Sequence, residues 1–164
     1  MSDGLARFNG LSSEKAERDL LATFASRTWA ERVAAGRPYP DFGALFEACE
    51  SAWAQLEPAD WVAAFAAHPR IGERGGHAPS SSEREQAGVR TASADTMAAL
   101  AEENRRYEAR FGHIFLIFAS GRTADEVLAE LRRRMANSAE AELVVAAEEH
   151  RKITRLRLQR LLTE

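Results

Sequence analysis

Three stretches of this 164-residue sequence carry side chains whose type and spacing suit chemistry. The first is His68-Pro69-Arg70-Ile71-Gly72, where helical periodicity gives way to a glycine-rich loop. A histidine in the last turn of a helix feels the negative end of the dipole, which favours its protonated form. That suits a general acid near neutral pH. A plainer reading stands beside it, because His-Pro also serves simply as a helix stop. The second stretch is Ser82-Glu83-Arg84-Glu85-Gln86-Ala87-Gly88. Ser82 and Glu85 stand at capping-box spacing and can do no more than start a helix. Yet a helix start also presents backbone amides to an anion, and a Glu85 turned toward a cleft could orient a histidine or take a proton. The third is Arg157. At roughly 100° per residue, Leu143, Ala147, His150, Thr154, Leu158 and Leu161 share one face of the last helix, and Arg157 falls in that stripe. An inward guanidinium needs a carboxylate, carbonyls or a bound anion.

Other polar residues are read more plainly. His77 lies in the loop and His113 follows Gly112, while His150 and Asn104 read as hydrogen-bonded core residues. Cys49, the only cysteine, is spaced with Phe42, Leu45, Phe46 and Trp53 and reads as a small buried apolar residue. The histidines lack paired-ligand spacing, and one cysteine builds no thiolate site, so no metal is expected. No phosphate-cradling glycine pattern or nucleophile elbow appears.

The elements that must position these residues are helices. Ser12 or Ser13 can cap a helix with Ala16, Leu20, Leu21 and Phe24 inward. Asp41 can cap a second, bearing Phe42, Leu45, Phe46, Cys49, Trp53 and Leu56. Pro58 suits the first turn of a third, which Pro69 ends near His68. Residues 71–80 form a loop, Ser82 starts the next helix, and another covers about 94–110 before a left-handed cap at Gly112. Ile114 to Ala119 is an apolar run of either a helical or an extended kind. Thr123 and Glu126 form another capping box, and the last helix runs from about Ala139 to Leu162. With no second strand-like run, the pattern predicts an all-α, single-domain bundle of seven to nine helices over residues 1–164.

A net charge of −3 gives no overall positive field for nucleic acid. No apolar stretch approaches the roughly 18–20 residues of a membrane span. The N-terminal residues lack a basic-then-apolar pattern and the Leu-Leu-Thr-Glu ending is no peroxisomal address, so a cytoplasmic location is expected.

Taken in order, the motifs HPRIG, SxxEQxG, NxxYxxxFG, FASGRT and ELxxAxxEHxKIxxLRL resemble the 2-oxo-4-hydroxy-4-carboxy-5-ureidoimidazoline (OHCU) decarboxylases. The likeness extends to Phe8-Asn9 and Arg37-Pro38-Tyr39-Pro40 and covers nearly the whole chain. It implies an all-helical, cofactor-free homodimer that converts OHCU to S-allantoin in urate degradation. By the same resemblance, His68 is the catalytic proton donor, Pro69 lies beside the ligand, and Glu85 and Gln86 face the substrate. Ser82, Glu83 and Arg84 belong to the same binding turn. Ile117, Phe118, Ala119, Ser120 and Gly121 match a segment whose backbone contacts the ligand, and Arg157 matches an arginine of the last helix. On this view Arg157, or amides at the Ser82 helix start, hold a polar substrate edge, Glu85 orients His68, and Gln86 reads ring or ureido amides by paired hydrogen bonds. Two rivals remain: a helical lyase for a related heterocyclic carboxylate, and a non-catalytic helical binding module in which His68 only stops a helix.

Overall fold

A computed structural model of the chain describes residues 2–73 and 75–164. Met1 and Arg74, within the N-terminal and glycine-rich stretches read above, lie outside the described residues. Among those described there are nine helices and no strand: α1 (Asp3–Asn9), α2 (Ser13–Thr23), α3 (Arg27–Ala35), α4 (Phe42–Ala54), α5 (Pro58–Phe65), α6 (Pro79–Glu85), α7 (Ala94–Phe111), α8 (Ala124–Arg134) and α9 (Ala139–Thr163). The all-α expectation holds. None of these helices is long and apolar enough to cross a membrane.

Local chemistry sets most boundaries. Ser12 caps α2 by accepting from the Lys15 amide, and Asp41 caps α4 by accepting from Ala44. The Thr123–Glu126 box at α8 is reciprocal, each side chain meeting the other's backbone amide. Gly112 ends α7 at φ 78°, a left-handed conformation that glycine adopts without a Cβ penalty. Helices α1 and α3 go beyond the sequence reading. The first has seven residues and buries only Gly4, Leu5 and Phe8, too short for a periodicity to register. The second is announced by Ser26, whose hydroxyl accepts from the Trp29 amide, with no glycine or proline to separate it from α2.

Two expected boundaries move. Helix α5 ends at Phe65, so His68 stands in the turn beyond it, its amide donating to the Phe65 carbonyl (3.0 Å). Helix α6 starts at Pro79, not Ser82. Proline at the first helical position is pre-set for helix and has no amide hydrogen to satisfy. Ser82 is therefore an interior residue and Glu85 the last, with no capping box between them.

By internal contacts the chain forms two compact units, residues 1–64 with 153–164, and residues 65–152. The first unit is packed around Leu5, Phe8, Leu20, Phe24, Trp29, Leu45 and Leu158. Phe24 meets Trp29 edge-on at 5.2 Å, and the Trp29 indole donates to the Cys49 carbonyl (3.1 Å). Burial pushes the Cys49 thiol up to about 12, and Glu50 adds to it. The early Phe8-Asn9 and Arg37–Pro40 stretches clasp each other here. Asn9 exchanges both amide hydrogen bonds with the Tyr39 backbone (2.8 and 2.9 Å), while Arg37 donates to the carbonyls of Phe8 and Leu11 (2.9 and 2.7 Å).

The second unit has a core of Val89, Leu100, Tyr107, Phe115, Ile117, Val127 and Leu131. Through it runs the segment 114–119, which is neither helix nor strand. A buried backbone of that kind must find partners outside any ladder. It finds them in side chains: Arg134 donates to the Leu116 carbonyl (2.7 Å), and the Phe118 amide donates to the Glu149 carboxylate (3.3 Å). Arg134 is itself fully buried and donates to Glu142, which also accepts from the Tyr107 hydroxyl and from Asn137. Burial and the hydrogen bond to Glu142 raise the Tyr107 hydroxyl, so it stays protonated as a donor.

Candidate active site

The sequence motifs meet inside the second unit through a closed circuit of contacts. His68 stands in the turn after α5 and is 9% exposed. Three residues on, Ile71 and Gly72 form the next turn, where the Gly72 amide donates to Gln86 Oε1 (2.9 Å) and the Ile71 carbonyl accepts from Asn104 of α7 (3.3 Å). Gln86 thus ties HPRIG to SxxEQxG. The glycine of SxxEQxG makes the next link. A Cβ on Gly88 would fall 2.3 Å from the Arg122 carbonyl oxygen, so the two backbones meet with no side chain between them. Arg122 closes a turn onto the Ala119 carbonyl (2.9 Å), and Gly121 within it has φ 79°, which explains the glycine of FASGRT.

From that turn the circuit passes to α9. Glu149 accepts from the Phe118 amide and pairs with Lys152, with the Arg122 guanidinium 4.0 Å away. The adjacent residue, His150, is fully buried and returns the chain of contacts to its start, its Nε2 lying 2.8 Å from Nε2 of His68. The two rings cross at 82° with centroids 4.6 Å apart, and the Phe65 ring packs edge-on against His150 (5.4 Å). His68 also meets His77 edge-on (5.2 Å), whose Nδ1 contacts the Ala67 carbonyl (3.1 Å).

The predicted residues fall as follows. Ser82, Glu85 and Gln86 are buried, Glu83 is half-buried and paired with Arg90 (3.4 Å), and Arg84 is exposed. Pro69 is half-buried next to His68, and Gly76 packs against it so closely that a Cβ would lie 2.6 Å from Pro69 Cδ. Ile117 and Ala119 are buried, Phe118 and Ser120 half-buried, and Gly121 exposed. Arg157 is buried as its helical projection required, but it belongs to the first unit, where Nη1 points to the Ala22 carbonyl (3.4 Å).

One expectation about chemistry changes with this geometry, and another is narrowed. The amide of Ser82 donates to the Ala78 carbonyl (3.0 Å) inside α6, so it is not an open anion donor. Gln86 Oε1 already accepts from the Gly72 amide, which leaves one lone pair and the NH2 group for a ligand. The sequence reading missed Glu149 and His150 as parts of this circuit. Their adjacency was visible, but nothing local connects them to Phe118 or to His68, 31 and 82 residues away. A cleft of about 350 Å³ opens on the α7 side of the 70–73 loop, lined by Arg70, Gly72, Met97, Asn104 and Glu108, and His68, Glu85 and Gln86 are not among its walls. Among the described residues, no three His, Cys, Asp or Glu side chains are grouped to hold a metal.

Comparison with known proteins bears on the same residues. The family model for OHCU decarboxylase matches residues 9–159. The chain is 33% identical over 160 residues to the uric acid degradation bifunctional protein TTL of Arabidopsis thaliana, covering 94% of this chain and 49% of that protein. With the uric acid degradation bifunctional protein of Bacillus sp. (strain TB-90) it shares 26% identity over 162 residues, covering 98% of this chain and 32% of the relative. This chain thus spans about half the length, or less, of these curated relatives. Among solved structures it is similar to a crystal structure of OHCU decarboxylase in the presence of (S)-allantoin, with a TM-score of 0.78, 36% identity, and coverage of 90% of this chain and 99% of that one. The motifs that close the circuit lie inside the matched span, and the chain belongs to the OHCU decarboxylase family.

Proposed function

We propose that this protein decarboxylates OHCU to S-allantoin in urate degradation, with His68 as the proton donor. The observation that carries the reading is the contact circuit joining HPRIG, SxxEQxG, FASGRT and the Glu149-His150 pair. A structural neighbour determined in the presence of (S)-allantoin supports the substrate class.

The chemistry asks little beyond position. OHCU carries its carboxylate on a carbon next to a carbonyl and a C=N system. When the carbon–carboxyl bond breaks, CO2 leaves and the electron pair enters the ring, so the substrate is its own electron sink and no cofactor is invoked. The enzyme must hold the leaving carboxylate out of the ring plane and protonate one face of the resulting carbanion. His68 supplies that proton, Glu85 orients it, and the Gln86 amide NH2 meets a carbonyl of the substrate. Pro69, Ser82, Glu83, Arg84 and the backbone of Ile117, Phe118, Ala119, Ser120 and Gly121 shape the remaining walls. Arg157 is assigned to a polar substrate edge on the family resemblance. We further propose that residues 1–164 act as one catalytic domain, as a homodimer in the cytoplasm.

The test is circular dichroism of OHCU generated in place from urate, with and without this protein and its His68→Asn variant. Rapid appearance of one allantoin enantiomer is expected. The variant should lose on the order of a hundredfold or more in turnover while melting within a few degrees of the parent. Formation of allantoin no faster than spontaneous decay, from folded protein, overturns the reading.

A further inference from the structure

His150 is a buried titratable group that the mechanism above leaves unused. It is fully buried on α9, is packed edge-on by Phe65, and places Nε2 at 2.8 Å from Nε2 of His68. That separation admits one proton between the two nitrogens. One ring must present N–H and the other a lone pair, and two imidazoliums would set N–H against N–H. Desolvation weighs against charge on His150, at 0% exposure, more than on His68, at 9%, which favours His150 as the neutral acceptor.

We propose that His150 is a positioning residue for the reaction: it accepts the Nε2–H of His68 and so fixes the orientation and protonation state of the proton donor. The inference rests on the reading of His68 as that donor. With Nε2–H on His150, the proton for the substrate is the one on Nδ1, and Glu85 orients the ring from that side. As CO2 departs, His68 passes its Nδ1 proton to the substrate carbon and keeps Nε2–H on His150. The pair goes from one positive charge to none while the carbanion is neutralised, and a proton from solvent restores Nδ1–H before the next turnover.

The geometry around the pair supports this division of labour. Glu149, one residue before His150, holds the Phe118 amide, so α9 fixes the acid and the 117–121 segment from adjacent positions. Ionisable groups beside the pair include His77, in ring contact with His68, and His113, in ring contact with Phe65. Glu85 of α6 is assigned to the same site, and the Glu149 carboxylate is taken up by Phe118 and Lys152.

Two substitutions and one spectrum test the idea. In His150→Leu the acceptor is gone, so the protonated form of His68 is held less well. Turnover should fall about thirtyfold or more at near-constant KM, and the basic limb of the pH–rate profile should move to lower pH. His150→Gln places a carbonyl near the lost nitrogen and should recover most of the turnover and the parent profile. Without substrate, NMR of 15N-histidine-labelled protein should show a slowly exchanging imidazole N–H that is lost in both His68→Asn and His150→Leu. Should His150→Leu fail to fold, the Gln variant and the parent spectrum carry the test. A folded His150→Leu with full turnover overturns the proposal, as does a Gln variant no better than Leu with an unmoved profile, or a parent spectrum lacking the signal. If the parent shows the signal but does not accelerate OHCU loss, the pairing stands and the decarboxylase reading fails.

Discussion

Each of the two compact units has an apolar core of its own, but they differ widely in the polar groups they bury. Among the described residues, the first buries three polar side chains: Thr23, Thr154 and Arg157. Among the described residues of the second there are nine, including His68, Glu85, Gln86, Arg134, Glu142 and His150. Burying such groups costs free energy unless each finds a partner, and a satisfied network in low dielectric is correspondingly rigid. The first unit is held by ring packing and a backbone clasp, the second by side chains that hold an unladdered segment and a histidine pair. The chain therefore concentrates its expensive interactions around the proposed reaction centre and the segment beside it.

Three measurements sharpen or break that contrast. The largest expected effect is at Arg134, whose loss leaves Glu142 buried and charged and the Leu116 carbonyl unsatisfied. Arg134→Leu should cost about 3–5 kcal/mol in chemical denaturation. The double variant with Glu142→Leu should recover part of this, because no orphan charge remains; no recovery would count against the pair as the cause. Next comes Leu45→Ala in the first unit, fully buried, which should cost about 3 kcal/mol. Turnover per folded molecule should be unchanged there; a loss would show that packing in the first unit, beyond the proposed role of Arg157, bears on the chemistry. Smallest is Thr123→Ala, which removes one half of the capping box and should cost about 1 kcal/mol, read as a shift in the denaturation midpoint.

How much of this was legible in the sequence follows from how far each determinant reaches. Ser12, Asp41 and Thr123 act within three residues, and their caps appear as read. The inward position of Arg157 came from helix projection, which is also local. Ser82 and Glu85 misled because a spacing rule was satisfied while Pro79, three residues earlier, had already started the helix. His68 was legible as a candidate from its own neighbourhood, although α5 stops short of it. The role of His150 was not legible, since its partner is brought to it by tertiary packing across 82 residues. The same holds for the 114–119 segment, whose partners, Arg134 and Glu149, lie on two later helices.

Gly88 carries a consequence of a different kind. Its φ is not in the left-handed region, so the backbone conformation does not call for glycine; the constraint is the Arg122 carbonyl oxygen. Where two main chains touch with nothing between them, their gap is set by atomic radii and cannot be adjusted by a rotamer. Position 88 therefore works as a fixed shim between the α6 turn and the FASGRT turn. No smaller residue exists to widen the play, and even alanine must force the turns apart. Substitutions in either turn can change what flanks that contact, but the contact itself has only one setting.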